Sequence, residues 1–254
     1  MRENTVKTRL KNGEVTYGIL SPNYDTTAVE VLGHLGFDFY MLDCEHGPGG
    51  PQQAEQVVRA CESVGIIPLA RVRSTDPKLL LQFLDIGVMG VMMPSLASAD
   101  HLKALVEAIK YPPQGTRGIA PVRANDYYLG RMQQEEYIRF SNEQTLVLPQ
   151  IELVEAVKNL DSLLKVEGID GFIVGPRDLS VSMGFYDGPA HDEVRQSMYS
   201  IFSEVKAAGL VVGTTAGTGE EARTHVEHGA QIILPSILGL LRAGSAAFWK
   251  GAKG

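Results

Sequence analysis

Short apolar runs alternate along this chain with stretches of helical spacing, and the alternation repeats eight times. The apolar runs are Thr16 to Leu20, Phe37 to Leu42, Ile67 to Val72, Val88 to Met93, Thr145 to Ile151, Gly171 to Val174, Leu210 to Thr214 and Gln231 to Leu234. Runs this short and this apolar are the mark of strands buried on both faces, as in a parallel sheet. Helical patterns separate them: Thr27 to Leu35, Gln52 to Val64, Pro77 to Asp85, Ala97 to Ile109, Val154 to Leu164, Val194 to Ala208, Glu220 to His228, and a last one from Ile237 onward. Eight strand–helix units close naturally into a (β/α)8 TIM barrel, and about 250 residues is the usual size of one. Residues 1–254 are therefore expected to form a single domain. The competing arrangement is an open doubly wound sheet, which would carry a Gly-rich dinucleotide turn after its first strand; Ser21-Pro22-Asn23-Tyr24 is not one.

Two segments stand outside the rhythm. Val6 and Leu10 among charged neighbours predict a short surface helix that stops at Asn12-Gly13. Residues 111–142 make a connection longer than compact domains normally tolerate without a lid function or structure of its own.

Composition serves mainly to exclude. A net charge of -7 argues against nucleic acid or an anionic membrane as partner. The longest apolar stretch, from Leu79 to Met93, is broken by Gln82 and Asp85, so no membrane span is expected. The first residues lack the apolar core of a secretory signal. Two cysteines, Cys44 and Cys61, give no disulfide framework and suit a reducing compartment. A cytoplasmic protein is the expectation.

In a parallel barrel, chemistry is done where the carboxyl ends of the strands meet. The polar residues there are few: Asp43, Glu45 and His46 after the second strand, Arg71 in the third, Gln150 and Glu152 at the fifth, and Asp178 after the sixth. Buried charges packed this closely need partners or a metal. Glu152 and Asp178 are hard oxygen donors without a nearby thiolate, which suits Mg²⁺ or Mn²⁺ and leaves coordination positions for water and a chelating substrate. Each could instead cap a helix. His46 alone among six histidines stands at a strand end, and imidazoles titrate near neutral pH, so it is the candidate general base. Arg71 either forms a salt bridge to Asp43 or Glu45 or clamps a substrate oxyanion. No lysine lies at a strand end, which disfavours Schiff-base chemistry. The glycine-rich turn from Gly213 to Gly219 has the look of a phosphate cradle, although such turns are common.

Four segments carry a family resemblance: Leu42-Asp43-Cys44-Glu45-His46, Tyr111 to Gly118, Gln150-Ile151-Glu152, and Gly175-Pro176-Arg177-Asp178-Leu179-Ser180. In order and spacing, from about Asn12 to the last helix, the chain resembles the HpcH/HpaI aldolases, the metal-dependent class II pyruvate aldolases. That resemblance implies reversible cleavage of a 4-hydroxy-2-oxo acid, or a 2-dehydro-3-deoxy sugar acid, to pyruvate and an aldehyde. It implies Glu152 and Asp178 as ligands of a divalent ion (Mg²⁺ or Mn²⁺, possibly Co²⁺), His46 as base, and Arg71 facing the pyruvyl oxygen. It places Gln150 and the backbone at Arg177 and Asp178 at the substrate carboxylate; Asp43 and Glu45 are expected to line the substrate site as well. Asp85 matches an aspartate that raises the basicity of the histidine, although the strand count puts it at the far end of a helix. A homohexamer, a trimer of dimers with the C-terminal helix swapped onto a neighbouring subunit, is implied as well. Two positions depart from the family: Arg177 is commonly a small residue, and Pro235 to Gly239 lacks an aspartate that many members carry.

Two rival functions remain. A glycoside hydrolase could pair Glu45 with Glu152, but a single Trp, Trp249 near the C-terminus, is poor provision for a sugar cleft. A non-catalytic barrel that binds oxo acids or metal would use the same residues.

Overall fold

The computed structural model describes residues 2–253. The chain begins α1 (Thr5–Lys11), β1 (Thr16–Ser21), α2 (Thr26–His34), β2 (Phe39–Asp43), α3 (Pro51–Val64), β3 (Ile67–Arg71), α4 (Pro77–Asp85), β4 (Gly90–Met93) and α5 (Ala99–Ile109). After a long connection come α6 (Gln134–Gln144), β5 (Leu146–Ile151), α7 (Val154–Lys158), α8 (Leu160–Leu163) and β6 (Gly171–Val174). The last part is α9 (Pro176–Ser182), α10 (Asp192–Ala207), β7 (Val211–Thr215), α11 (Gly219–Glu227), β8 (Ile232–Leu234) and α12 (Ile237–Lys253).

The strands pair in sequence order, all parallel, and β8 closes onto β1. The expected (β/α)8 barrel is therefore formed. Alternate strand residues face opposite ways, and two apolar cores result. Phe39, Met41, Ile67, Leu69, Leu148 and Ile232 fill the barrel interior, while Tyr40, Leu42, Val91, Val147, Phe172 and Val212 face the surrounding helices.

The surface helix expected at the N-terminus is not at the surface. Val6 and Leu10 are buried in the interior core, so α1 plugs the amino end of the barrel. The barrel's closure creates this need: an open lower end would leave the innermost apolar layer wet. Residues 111–142 have structure of their own, a 3₁₀ segment at Arg123–Tyr128 and most of α6. The helix expected over Val154 to Leu164 is broken at Asn159 into α7 and α8. The short helix α9 was not expected. Among the described residues no helix is long and apolar enough to cross a membrane.

Candidate active site at the carboxyl ends of the strands

Strand register assembles the first half of the site. β2 and β3 pair so that Asp43 lies directly beside Arg71, each the last residue of its strand. Arg71 donates from Nε to Asp43 Oδ1 at 2.9 Å and from Nη2 to Oδ2 at 2.6 Å, a two-pronged carboxylate fork. Asp43 Oδ1 also accepts the backbone N–H groups of Glu45 (3.1 Å) and His46 (3.3 Å). One carboxylate thus fixes the guanidinium and the turn that carries the histidine. The turn folds back closely: a Cβ on Gly47 would stand 2.3 Å from the Asp43 carbonyl oxygen, which only glycine avoids.

Burial alone would raise the pKa of Asp43, but Arg71 and the two backbone donors outweigh it and hold the group below the ordinary carboxylate range. Glu45 is treated differently. Its Oε2 lies 3.2 Å from Arg71 Nε without a hydrogen bond, and burial pushes its pKa up against the pull of Arg71. His46 projects into solvent, with Nε2 3.8 Å from Glu45 Oε2. Cys44, packed behind the turn, is inert: burial pushes its thiol up to about 12.

The second half is centred on Glu152, which follows β5 and is only 4% exposed. It caps no helix, since α7 begins after Leu153 without a side-chain cap and the Val154 N–H goes to Ser182 Oγ. Glu152 Oε1 accepts from both the backbone N–H (2.7 Å) and the hydroxyl (3.0 Å) of Ser95, and Oε2 accepts from Gln150 Nε2. Burial pushes the Glu152 pKa up; Ser95 partly offsets this, and the charges of Asp178 and Glu45 push it further. Asp178 stands in the first turn of α9, exposed to the mouth. Gly175 brings β6 against this group: a Cβ there would lie 2.4 Å from Gln150 Nε2 and 3.0 Å from Glu152 Oε2. Ser95 is the site residue that sequence reading missed, because Pro94-Ser95 reads only as a strand stop.

The family model for HpcH/HpaI aldolase/citrate lyase matches residues 17–237. The chain belongs to that family. Over 235 residues it is 33% identical to the 4-hydroxy-2-oxo-heptane-1,7-dioate aldolase of Salmonella typhimurium, covering 92% of this chain and 89% of the relative. The HpcH/HpaI aldolase structure from Desulfitobacterium hafniense superposes with a TM-score of 0.91 at 29% identity, covering 97% of this chain and 96% of that one. A family protein from Burkholderia cenocepacia gives 0.92 at 28% identity, covering 99% and 100%. As an HpcH/HpaI family member the chain is a carbon–carbon lyase, and the hydrolase and non-catalytic readings are not favoured.

The HpcH/HpaI mouth suits a hard divalent ion by its donor set. Its carboxylates, Asp43, Glu45, Glu152 and Asp178, outnumber its one buried guanidinium, Arg71, and buried Gln150 Oε1 and Glu45 Oε2 have no hydrogen-bond partner. Among the described residues no group of three or more His, Cys, Asp or Glu side chains is placed to hold a metal ion by itself.

One expected residue lies outside the mouth of this chain. Asp85 ends α4, where the chain turns toward the amino end of β4, and accepts from Arg117 Nη2 at 2.8 Å; this chain does not bring it to His46. Arg123 pairs with Glu62, so neither Arg117 nor Arg123 reaches the mouth. Arg177 is exposed at the start of α9. Gln150 donates one of its two amide N–H groups to Glu152, and its buried oxygen has no hydrogen-bond partner. The glycine turn after β7 is no phosphate cradle, because the Gly217 N–H already donates to Glu221 Oε2 at 2.6 Å.

Proposed function

We propose that this chain catalyses divalent-metal-dependent, reversible aldol cleavage of a 4-hydroxy-2-oxo acid to pyruvate and an aldehyde. The observation that carries the reading is the arrangement of the mouth. Glu152, buried and held through both oxygens, lies close enough to Asp178 to feel its charge, beside an arginine locked onto Asp43. Glu152 and Asp178 would hold the ion, which when bound polarises the 2-oxo group as a Lewis acid.

The chain's own residues supply the rest. Arg71, whose Nε and Nη2 are committed to Asp43, offers Nη1 to the oxygen on which charge develops as the C3–C4 bond breaks. Because the fork is already built, no reorganisation is needed at that moment. His46, its backbone tied to Asp43 and its imidazole free in the mouth, takes the proton from the 4-hydroxyl. Exposed Arg177 suits a substrate with a second carboxylate, such as the dioate in the name of the Salmonella relative.

The assembly is read from the family. We place Asp85 at a neighbour's histidine across a subunit contact, within a homohexamer. The C-terminal swap is supported by α12, which among the described residues buries only Ile237 and leaves Leu238, Leu241, Phe248 and Trp249 more than half exposed. Beside it runs an apolar groove lined by Tyr17, Ala222, Val226, Ile233 and Pro235, where an eighth barrel helix would normally lie. Buried, free Cys44 and Cys61 fit a cytoplasmic location.

The test is pyruvate release from a panel of 4-hydroxy-2-oxo acids. Protein stripped with EDTA should lose turnover and recover it with Mg²⁺, Mn²⁺ or Co²⁺. Turnover that survives complete stripping ends the reading.

A further inference from the structure

Ser95 has no structural duty that explains its conformation. It follows β4 in the left-handed region, at φ 58°, where residues with a side chain are strained. The next helix, α5, is capped by a different residue, Ser98, which accepts from the His101 N–H. What the strained conformation achieves is to aim two donors of one residue at one oxygen: the Ser95 N–H and hydroxyl both reach Glu152 Oε1.

An ionised carboxylate has about four lone-pair positions. Ser95 takes both of those on Oε1, and Gln150 Nε2 takes one on Oε2. A single acceptor position is left, on Oε2. We infer that Ser95 leaves Glu152 one free acceptor position and would thereby set which divalent ion the site accepts. This rests on Glu152 being a metal ligand. A carboxylate that can offer one oxygen suits the six-coordinate ions Mg²⁺ and Mn²⁺, whereas Ca²⁺, which takes six to eight oxygens, gains from a carboxylate that can bind through both. Ser95 is thus a positioning residue that selects against Ca²⁺.

The test is equilibrium metal binding, with no turnover involved. Free Mn²⁺ is followed by its electron paramagnetic resonance signal in the full-length protein, and Ca²⁺ is titrated in as competitor. Ser95→Ala removes the hydroxyl and keeps the backbone donor; Ser95→Gly does the same while relieving the left-handed strain. Both should reduce the preference for Mn²⁺ over Ca²⁺ by about tenfold, the worth of one hydrogen bond to a charged group. An unchanged preference in both variants overturns the inference. So does a change in the Ala variant alone, which would assign the effect to backbone strain. Glu152→Gln separates the two levels. If it binds Mn²⁺ like the parent, Glu152 is no ligand and the reading beneath the inference fails. If it loses Mn²⁺ while both Ser95 variants match the parent, only the role of Ser95 is removed.

Discussion

The two ends of this barrel use their buried polar groups in opposite ways. At the amino end, the plug α1 is fastened by saturated contacts. Asn4 donates to the carbonyls of Met89 (3.1 Å) and Gln144 (2.9 Å) and accepts from the Lys7 N–H. Lys7 Nζ lies 2.7 Å from Asp170 Oδ1 and donates to the Thr145 carbonyl. Lys110 Nζ donates to the carbonyls of Asn142 (2.7 Å) and Thr145 (2.8 Å). At the carboxyl end, Glu45 and Gln150 keep buried oxygens without partners, and burial drives Glu45 and Glu152 away from their charged forms. Polar groups at the plug are spent on the protein, while those at the mouth are held back for something the chain does not contain. Local destabilisation of this kind marks functional sites.

The largest effect that could break this contrast is at Arg71. Replacing it with Ala should lower kcat/KM by about 10²–10³, the usual loss when a preorganised oxyanion donor is removed. Breaking the buried pair with Asp43 should also cost roughly 3–5 kcal/mol of stability, so turnover and urea unfolding are measured together. Arg71→Lys keeps the charge but cannot form the two-pronged fork, and should recover stability better than rate. Wild-type turnover in a folded Ala variant would make the Arg71–Asp43 pair structural, like the contacts around the plug.

The converse experiment is at Asn4. Asn4→Ala removes a helix cap and leaves the Gln144 carbonyl unanswered, while the Met89 carbonyl keeps the Leu146 N–H, a loss of roughly 1–3 kcal/mol. Urea denaturation should report that loss while kcat/KM of the folded fraction stays at the parent value. A large fall in kcat/KM without a fall in stability would show that the plug communicates with the mouth.

What the sequence made legible follows from what each residue answers to. The strands were readable because a strand buried on both faces must be apolar throughout, as Phe39 to Leu42 and Leu146 to Leu148 are. Asp43, Arg71 and Glu152 were readable for the opposite reason, since charge at the end of such a run demands an explanation. The plug was misread because the burial of Val6 and Leu10 is a property of the closed barrel, and nothing local distinguishes them from a solvated helix. Glu152 as a helix cap was a local hypothesis, displaced by a partner 57 residues away in sequence, Ser95. Ser95 itself was invisible, because its importance lies in a backbone angle that no serine advertises. The helix α9 was missed because seven residues from Pro176 carry too short a pattern to show periodicity.

The smallest expected effect sharpens the contrast at Lys110. Lys110 is buried among satisfied carbonyls, yet burial, with the like charge of Lys7 beside it, pulls its pKa down to about 8. An unfolded lysine titrates near about 10.4. Between those values the unfolded chain binds more protons than the folded one, so the contribution of Lys110 to stability must rise with pH across the window. Below it the lysine is charged in both states and the burial penalty is felt in full. Unfolding free energies of the parent and Lys110→Met, taken from urea titrations between pH 7 and 9.5, should differ by an amount that shifts in the parent's favour by about 1–2 kcal/mol. The pH profile of kcat/KM should not change between the two proteins, since Lys110 lies at the plug. A difference in stability that stays flat with pH would mean that the lysine keeps its charge when folded. The two carbonyls would then suffice to solvate an ammonium, and the surroundings of Lys110 would be satisfied in charge as well as in hydrogen bonds.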